Sequence, residues 1–215
     1  MTTTKARFIS LEGSEGVGKT TSLKFVQSFV ESLGHAVLVT REPGGTPMAE
    51  EIRNILLKER EETVHMDTEL LLMFASRTQH VQQVIKPALN EGKWVICDRF
   101  VDASYAYQGG GRGIEFSHIQ ELERWCLGSF KPDLTLLLDM SSTEGIARTK
   151  KRGKADRFEV EKMAFYQRIR AAYLERATNE PERIHIIDAS PTVELVQEEI
   201  RSVLLKTLSD IRESI

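Results

Sequence analysis

The stretch GSEGVGKT, Gly13 to Thr20, carries the residue types needed to hold a row of phosphates. It meets the pattern GxxxxGK[ST] at every fixed position. Glycines allow the backbone to curl so that successive N–H groups point inward at phosphate oxygens. Lys19 would reach the β- and γ-phosphates of a nucleoside triphosphate, and the Thr20 hydroxyl would sit on Mg²⁺. The second chemical signal is Asp98-Arg99, which ends the apolar run Trp94 to Cys97. A carboxylate there suits a metal or a proton, and the planar Arg fork suits a phosphate. An Asp–Arg surface pair is the plainer reading. Phe74 and Arg77 lie three apart in a helical pattern: Phe could stack on a flat base and Arg donate to its ring acceptors. Alternatively Phe74 is core and Arg77 snorkels to solvent. Tyr105, Tyr107 and Gln108 stand before three glycines, as a second pocket wall or as an ordinary loop.

A further candidate is the run Arg148 to Arg157, with six positive residues in ten positions. It reads either as a solvated charge run or as a Gly-hinged lid that brings an Arg over a transferring phosphate. The phosphate loop favours the lid. Asp139 also ends an apolar strand, but with no phosphate-binding neighbour it reads as structural.

These residues need a scaffold. Phe8 to Leu11 reads as a strand into the loop, and Thr21 to Leu33 as a helix out of it, capped by Gly34. A helix N-terminus adds an anion-binding field of its own. His35 to Thr40 is a second strand, Arg41 to Thr46 (REPGGT) a loop, and Pro47 opens a helix. Thr68 to Asn90 is a long helix with a kink or break at Pro87. Further strands are Trp94 to Cys97, Leu134 to Leu138 and Ile184 to Ile187. Helices are expected over Ile114 to Leu127, Ser142 to Lys150, Phe158 to Thr178 and Pro191 to Ser209, the last with Ser190 as N-cap. Apolar strands without period-two alternation, separated by helices, imply a doubly wound parallel α/β sheet covered on both faces. Ligands in such sheets bind at the carboxyl ends of the strands, where Gly13 to Thr20, Arg41, Asp98-Arg99 and Asp139 fall.

The chain has 215 residues, enough for one domain with a lid at about 148–158. A net charge of −3 gives no broad attraction to nucleic acid or anionic membrane, so positive charge must be local. Two cysteines, Cys97 and Cys126, form no metal or disulfide pattern. No signal peptide or membrane span is expected, which makes the cytoplasm the default.

Taken in order, LEGSEGVGKTT, TREPGGT, FASRTQH, CDRFVDASYAYQGGGRG and RGKADRFE resemble the thymidylate kinase family of the bacterial kind, over about Phe8 to Pro191. The resemblance implies a P-loop kinase fold, usually homodimeric, that transfers the γ-phosphoryl of ATP to dTMP with Mg²⁺. It implies that Gly13, Ser14, Glu15, Gly16, Val17, Gly18, Lys19, Thr20 and Thr21 hold ATP and metal, with Asp98 serving the metal or Arg99. Glu15 would lie near the dTMP sugar, and Arg41 and Arg99 near its phosphate. Phe74 would stack on thymine, Arg77 would bond a ring carbonyl, Ser104 and Gln108 would face the base edge, and Tyr107 would fill the place of a 2′-hydroxyl. Arg148, Arg152 and Arg157 would form the lid, with Arg152 on the transition state. Catalysis would then rest on Lys19, Arg99 and Arg152. Many members place the stacking Phe four residues before the Arg, and here Met73 stands there. Rival readings are a P-loop kinase of another small molecule, or a nucleotide switch. The Asn-Lys-x-Asp motif of a GTPase switch is absent.

Overall fold

A computed structural model describes residues 6–149 and 161–207. Its centre is a parallel five-stranded sheet made of β1 (Phe8–Glu12), β2 (Val37–Arg41), β3 (Trp94–Asp98), β4 (Leu134–Asp139) and β5 (Ile184–Asp188). The strand order is β2-β3-β1-β4-β5. The chain therefore reverses direction of travel around β1, and the crevice at its carboxyl end is the place where such sheets take ligands.

Alternation along β1 sorts its side chains between two cores. Ile9 and Leu11 pack with Val26, Phe29 and Val30 of α1 (Lys19–Ser32) and with Val196, Ile200 and Leu204 of α9 (Val193–Thr207). On the other face Phe8, Val95 and Cys97 meet Leu70, Phe74 and Val81 of the long helical run, and Ile119 and Leu127 of α6 (Phe116–Leu127). Burial of each Ile, Leu or Phe of this kind contributes about 1.5–3 kcal/mol. Helices on both faces and all-parallel pairing agree with the architecture expected above.

Several local expectations are corrected. The helix after the phosphate loop starts at Lys19 rather than Thr21, with Gly18 as its left-handed N-cap at φ 91°. Pro87 does not break its helix. The chain runs from α3 (Met66–His80) through a π-helical turn, Val81–Ile85, into α4 (Lys86–Asn90). The wide turn accommodates a residue that lacks N–H and whose ring would crowd the preceding turn. Thr192, not Ser190, precedes α9 as the acceptor for Val196 N–H, while Ser190 turns back to Asp188.

The largest correction concerns the Gly-rich stretch. It is no loop: α5 (Val101–Ser104) continues into a π-helix over Tyr105–Gly111. Its glycines are there for close approach. A Cβ on Gly109 would stand 2.4 Å from the Phe116 ring, on Gly110 2.6 Å from Ala172, and on Gly111 2.6 Å from the Phe165 ring. Ala172 and Phe165 belong to α8 (Met163–Asn179), so the glycines let α8 press against the π-helix that carries Tyr107 and Gln108. The helices α2 (Pro47–Leu57) and α7 (Ser142–Thr149) complete the described elements. Lid residues Arg152 and Arg157 lie outside the described residues.

Candidate active site

At the carboxyl end of β1 and β3 opens a cavity of about 280 Å³. The phosphate loop supplies Glu15, Gly16, Gly18, Lys19 and Thr20 to its wall. Gly13 and Ser14 lie beneath and contribute backbone: both carbonyls accept from Lys19 Nζ, at 3.0 and 2.9 Å. Val17 points into the core, and Thr21 is exposed outside the cavity wall. Burial pulls the Lys19 ammonium below its usual pKa, and the Arg99 charge adds to this, while Glu15, Asp98 and Glu12 oppose it.

Arg99 stands at the end of β3 with φ 69°, a left-handed conformation uncommon for a side chain of this size. Such strain persists where surrounding contacts over-determine it. Here the guanidinium donates to Gly13 O at 3.0 Å, to Glu15 Oε1 at 2.5 Å and to Tyr173 Oη at 3.3 Å, and lies 4.7 Å from the Tyr107 ring centre. Tyr107 Oη donates to the same Glu15 oxygen at 3.0 Å. Arg41, half exposed, lines the cavity and pairs with Glu50 at 2.9 Å.

The other end of the cavity is formed by Met73, Arg77, Phe100, Ala103, Ser104, Tyr107 and Gln108. Arg77 does not snorkel. It is 2% exposed and donates to Glu42 at 2.7 Å, Ser104 Oγ at 3.0 Å and Phe100 O at 3.1 Å. Gln108 donates to Glu69 at 2.9 Å. Of the two residues weighed for stacking on a base, Met73 lines the cavity and Phe74 does not. Phe74 is core, its ring 4.9 Å from the Arg77 guanidinium and absent from the cavity wall, where Met73 and Phe100 stand instead. Consecutive helical residues point about 100° apart, so only one of the pair could face the cavity.

Arg148, expected in the lid, is held away by its bonds to Ala189 O and Ser190 O. Asp139 forms a two-point ion pair with Arg170 at 2.7 and 2.8 Å, as befits a structural carboxylate. Arg53, Leu57, Glu42, Pro43 and Phe100 line the cavity but were not anticipated. The spacing of Arg53 and Leu57, four apart on the helix that follows REPGGT, was the available signal for two of them.

The residues present fit a divalent cation. Asp98 Oδ1 is buried without a hydrogen-bond partner among the described residues, and Thr20 lines the same cavity. Mg²⁺ ordinarily takes one or two carboxylates and completes its shell with substrate phosphates and water.

Glu12 lies below the loop, fully buried, accepting from Phe100 N–H at 2.6 Å and Tyr173 O–H at 2.7 Å. Burial raises its pKa to about 8, with Asp102 adding and Arg99 opposing. A carboxyl raised in the fold contributes stability that is fully present below its unfolded pKa of about 4.5 and lost as pH rises through about 8. The wild-type melting temperature should therefore fall between pH 5 and 8.5 relative to that of Glu12→Gln, at about 2–4 °C per kcal/mol for a chain of this size. Parallel melting curves across that range would remove the protonated carboxyl.

Comparison with known proteins bears on these arrangements. A profile of the family described as thymidylate kinase matches residues 11–200. A thymidylate kinase from Hahella chejuensis is 52% identical over 205 residues, spanning 95% of this chain and 99% of the relative. One from Nitrosospira multiformis is 53% identical over 196 residues, spanning 91% and 95%. The crystal structure of thymidylate kinase from Ehrlichia chaffeensis superposes with a TM-score of 0.75 at 34% identity, covering 93% of this chain and 98% of that one.

Proposed function

The chain belongs to the thymidylate kinase family and phosphorylates dTMP to dTDP with ATP as donor, and from that premise we propose how its cavity divides the work. The observation that carries the assignment of roles is that one cavity is lined by Lys19 and Thr20, by Arg41 and Arg99, and by Arg77, Ser104 and Gln108. Phosphate-binding groups and base-reading groups thus share a single continuous wall.

Lys19 exchanges its two carbonyl partners for the β- and γ-phosphates of ATP, with the N-terminus of α1 behind it. Arg99 and Arg41 bind the dTMP phosphate. Arg99 reaches it by leaving Glu15, a carboxylate that occupies the guanidinium as a phosphate would. Thr20 and Asp98 would hold a Mg²⁺ ion, which when bound would supply charge neutralisation to the donor phosphates. Phosphoryl transfer needs positioning and electrostatic stabilisation more than covalent help, which suits a site built from two arginines, a lysine and an α-helix N-terminus. Arg77 donates to a thymine carbonyl, Ser104 and Gln108 face the base edge, and Met73 and Phe100 enclose the ring. Tyr107, packed under Arg99, closes the sugar site to a 2′-hydroxyl.

The chain acts as a single kinase domain in the cytoplasm. Among the described residues no helix is long and apolar enough to cross a membrane. Homodimerisation is part of the proposal. Ile55, Leu71 and Trp125 on the neighbouring helices α2, α3 and α6 are exposed, Trp125 at 83%, and sedimentation should give twice the chain mass, whereas a monomer at micromolar concentration would remove the dimer. The role assignments are tested by ADP release from Mg-ATP with dTMP, dUMP, dCMP, dGMP and AMP in parallel. A strong rate with dTMP, a weaker one with dUMP and little with the others supports the base pocket. Equal rates with AMP would overturn it.

A further inference from the structure

A buried polar chain runs behind the base end of the cavity. Thr40 Oγ1 lies 2.7 Å from His80 Nε2, and His80 Nδ1 lies 3.1 Å from Glu42 Oε1. Glu42 Oε2 accepts from Arg77 Nε at 2.7 Å. Side-chain exposure is 2% for Arg77, 2% for Glu42 and 0% for His80. A guanidinium has five N–H donors, and Glu42, Ser104 and Phe100 take three of those of Arg77. The same group lines the cavity, so its remaining donors have a ligand to meet. We propose that Glu42 and His80 are positioning residues that fix the Arg77 fork against the nucleobase, His80 acting through Glu42.

The geometry gives each member a distinct task. Glu42 and Arg77, each 2% exposed, cancel each other's charge, so the pair stands only while both are present and well aligned. One Glu42 oxygen serves Arg77, and the other would be left without a donor but for His80. With a proton on Nδ1 the imidazole donates to Glu42, and its Nε2 pairs with the Thr40 hydroxyl, so both ring nitrogens have a partner. His80 also fixes the loop that carries Glu42. A Cβ on Gly45 would stand 2.4 Å from its ring, so loop and imidazole are in close packing. Gly44 N–H donates to Ser76 Oγ at 3.2 Å, tying the same loop to the turn of α3 that bears Arg77. His80 and Arg77 lie three apart on α3, so their side chains are neighbours on one face.

This inference rests on Arg77 contacting the base, and the experiment separates the two claims. Steady-state kinetics would be run on wild type, Arg77→Ala, His80→Leu, His80→Asn, Thr40→Val and the Arg77→Ala/His80→Leu double variant, varying dTMP and ATP separately. Arg77→Ala should raise the dTMP KM by roughly 10²-fold through loss of charge-assisted bonds. His80→Leu should raise it by about 10-fold, with kcat within about threefold and the ATP KM unchanged. Asn places an N–H near the position of Nδ1 and should restore the dTMP KM to within about threefold of wild type. Combined with Arg77→Ala, His80→Leu should add little, because a positioning residue has nothing left to position. Should His80→Leu fail to fold, the contrast between His80→Asn and Thr40→Val decides, with the second weaker toward dTMP. An additive double variant, or a His80→Leu that loses active fraction without raising the dTMP KM, would overturn the positioning role. An unchanged dTMP KM in Arg77→Ala would instead overturn the base contact.

Discussion

Replacing Lys19 with Ala should reduce turnover by roughly 10²–10³-fold or more, the scale seen when one pre-aimed donor is removed from a site of developing charge. Lys19 Nζ is buried and bonded to Gly13 and Ser14 carbonyls, so it is already held within the phosphate loop. Burial and the nearby Arg99 charge weaken its hold on the proton, and a phosphate would strengthen it. The substitution removes a cation from a place where Glu15 and Asp98 contribute opposite charge. ATP binding should weaken less than kcat falls, since backbone donors of the loop remain. Turnover within about threefold of wild type would remove the phosphate-loop assignment.

Replacing Arg99 with Lys should lower kcat/KM for dTMP by roughly 10²-fold or more, even though charge is kept. The planar fork reaches Gly13 O, Glu15 and Tyr173 at once and stacks on Tyr107. A lysine offers a single ammonium and cannot stack in the same way. Its left-handed backbone is accommodated by these contacts, so the variant also loses part of what holds the turn. The effect should be larger for dTMP than for ATP, as the proposed role is on the acceptor phosphate. Equal losses for both substrates, with a lowered melting temperature, would make Arg99 a scaffold residue rather than a phosphate ligand.

The parts legible in the sequence are those dictated locally. GSEGVGKT after an apolar strand specifies loop and helix together, because glycine conformations, N–H orientation and the helix N-terminus are all consequences of a short segment. Asp98-Arg99 was legible for the same reason: it ends a buried strand. What escaped depended on distant partners. The π-helix over Tyr105–Gly111 exists because Phe165, Ala172 and Phe116 crowd its glycines, and three consecutive glycines alone read as a loop. Met73 and Phe74 are both near Arg77 in spacing, and only the packing of Phe74 against Leu70 and Phe100 decides which faces the cavity. Glu42 and His80 were silent, since a buried network is defined by side chains that meet across 38 positions. The helix through Pro87 survived because a wide turn replaced the expected break.

The most direct test of the central claim, that this cavity passes phosphoryl from ATP to dTMP, is a single-turnover experiment. Enzyme in excess would be mixed with γ-labelled Mg-ATP, with and without dTMP, and the labelled products separated. The account predicts label in dTDP when dTMP is present and ATP left largely intact when it is not. Label released as inorganic phosphate at the same rate with or without dTMP would contradict it.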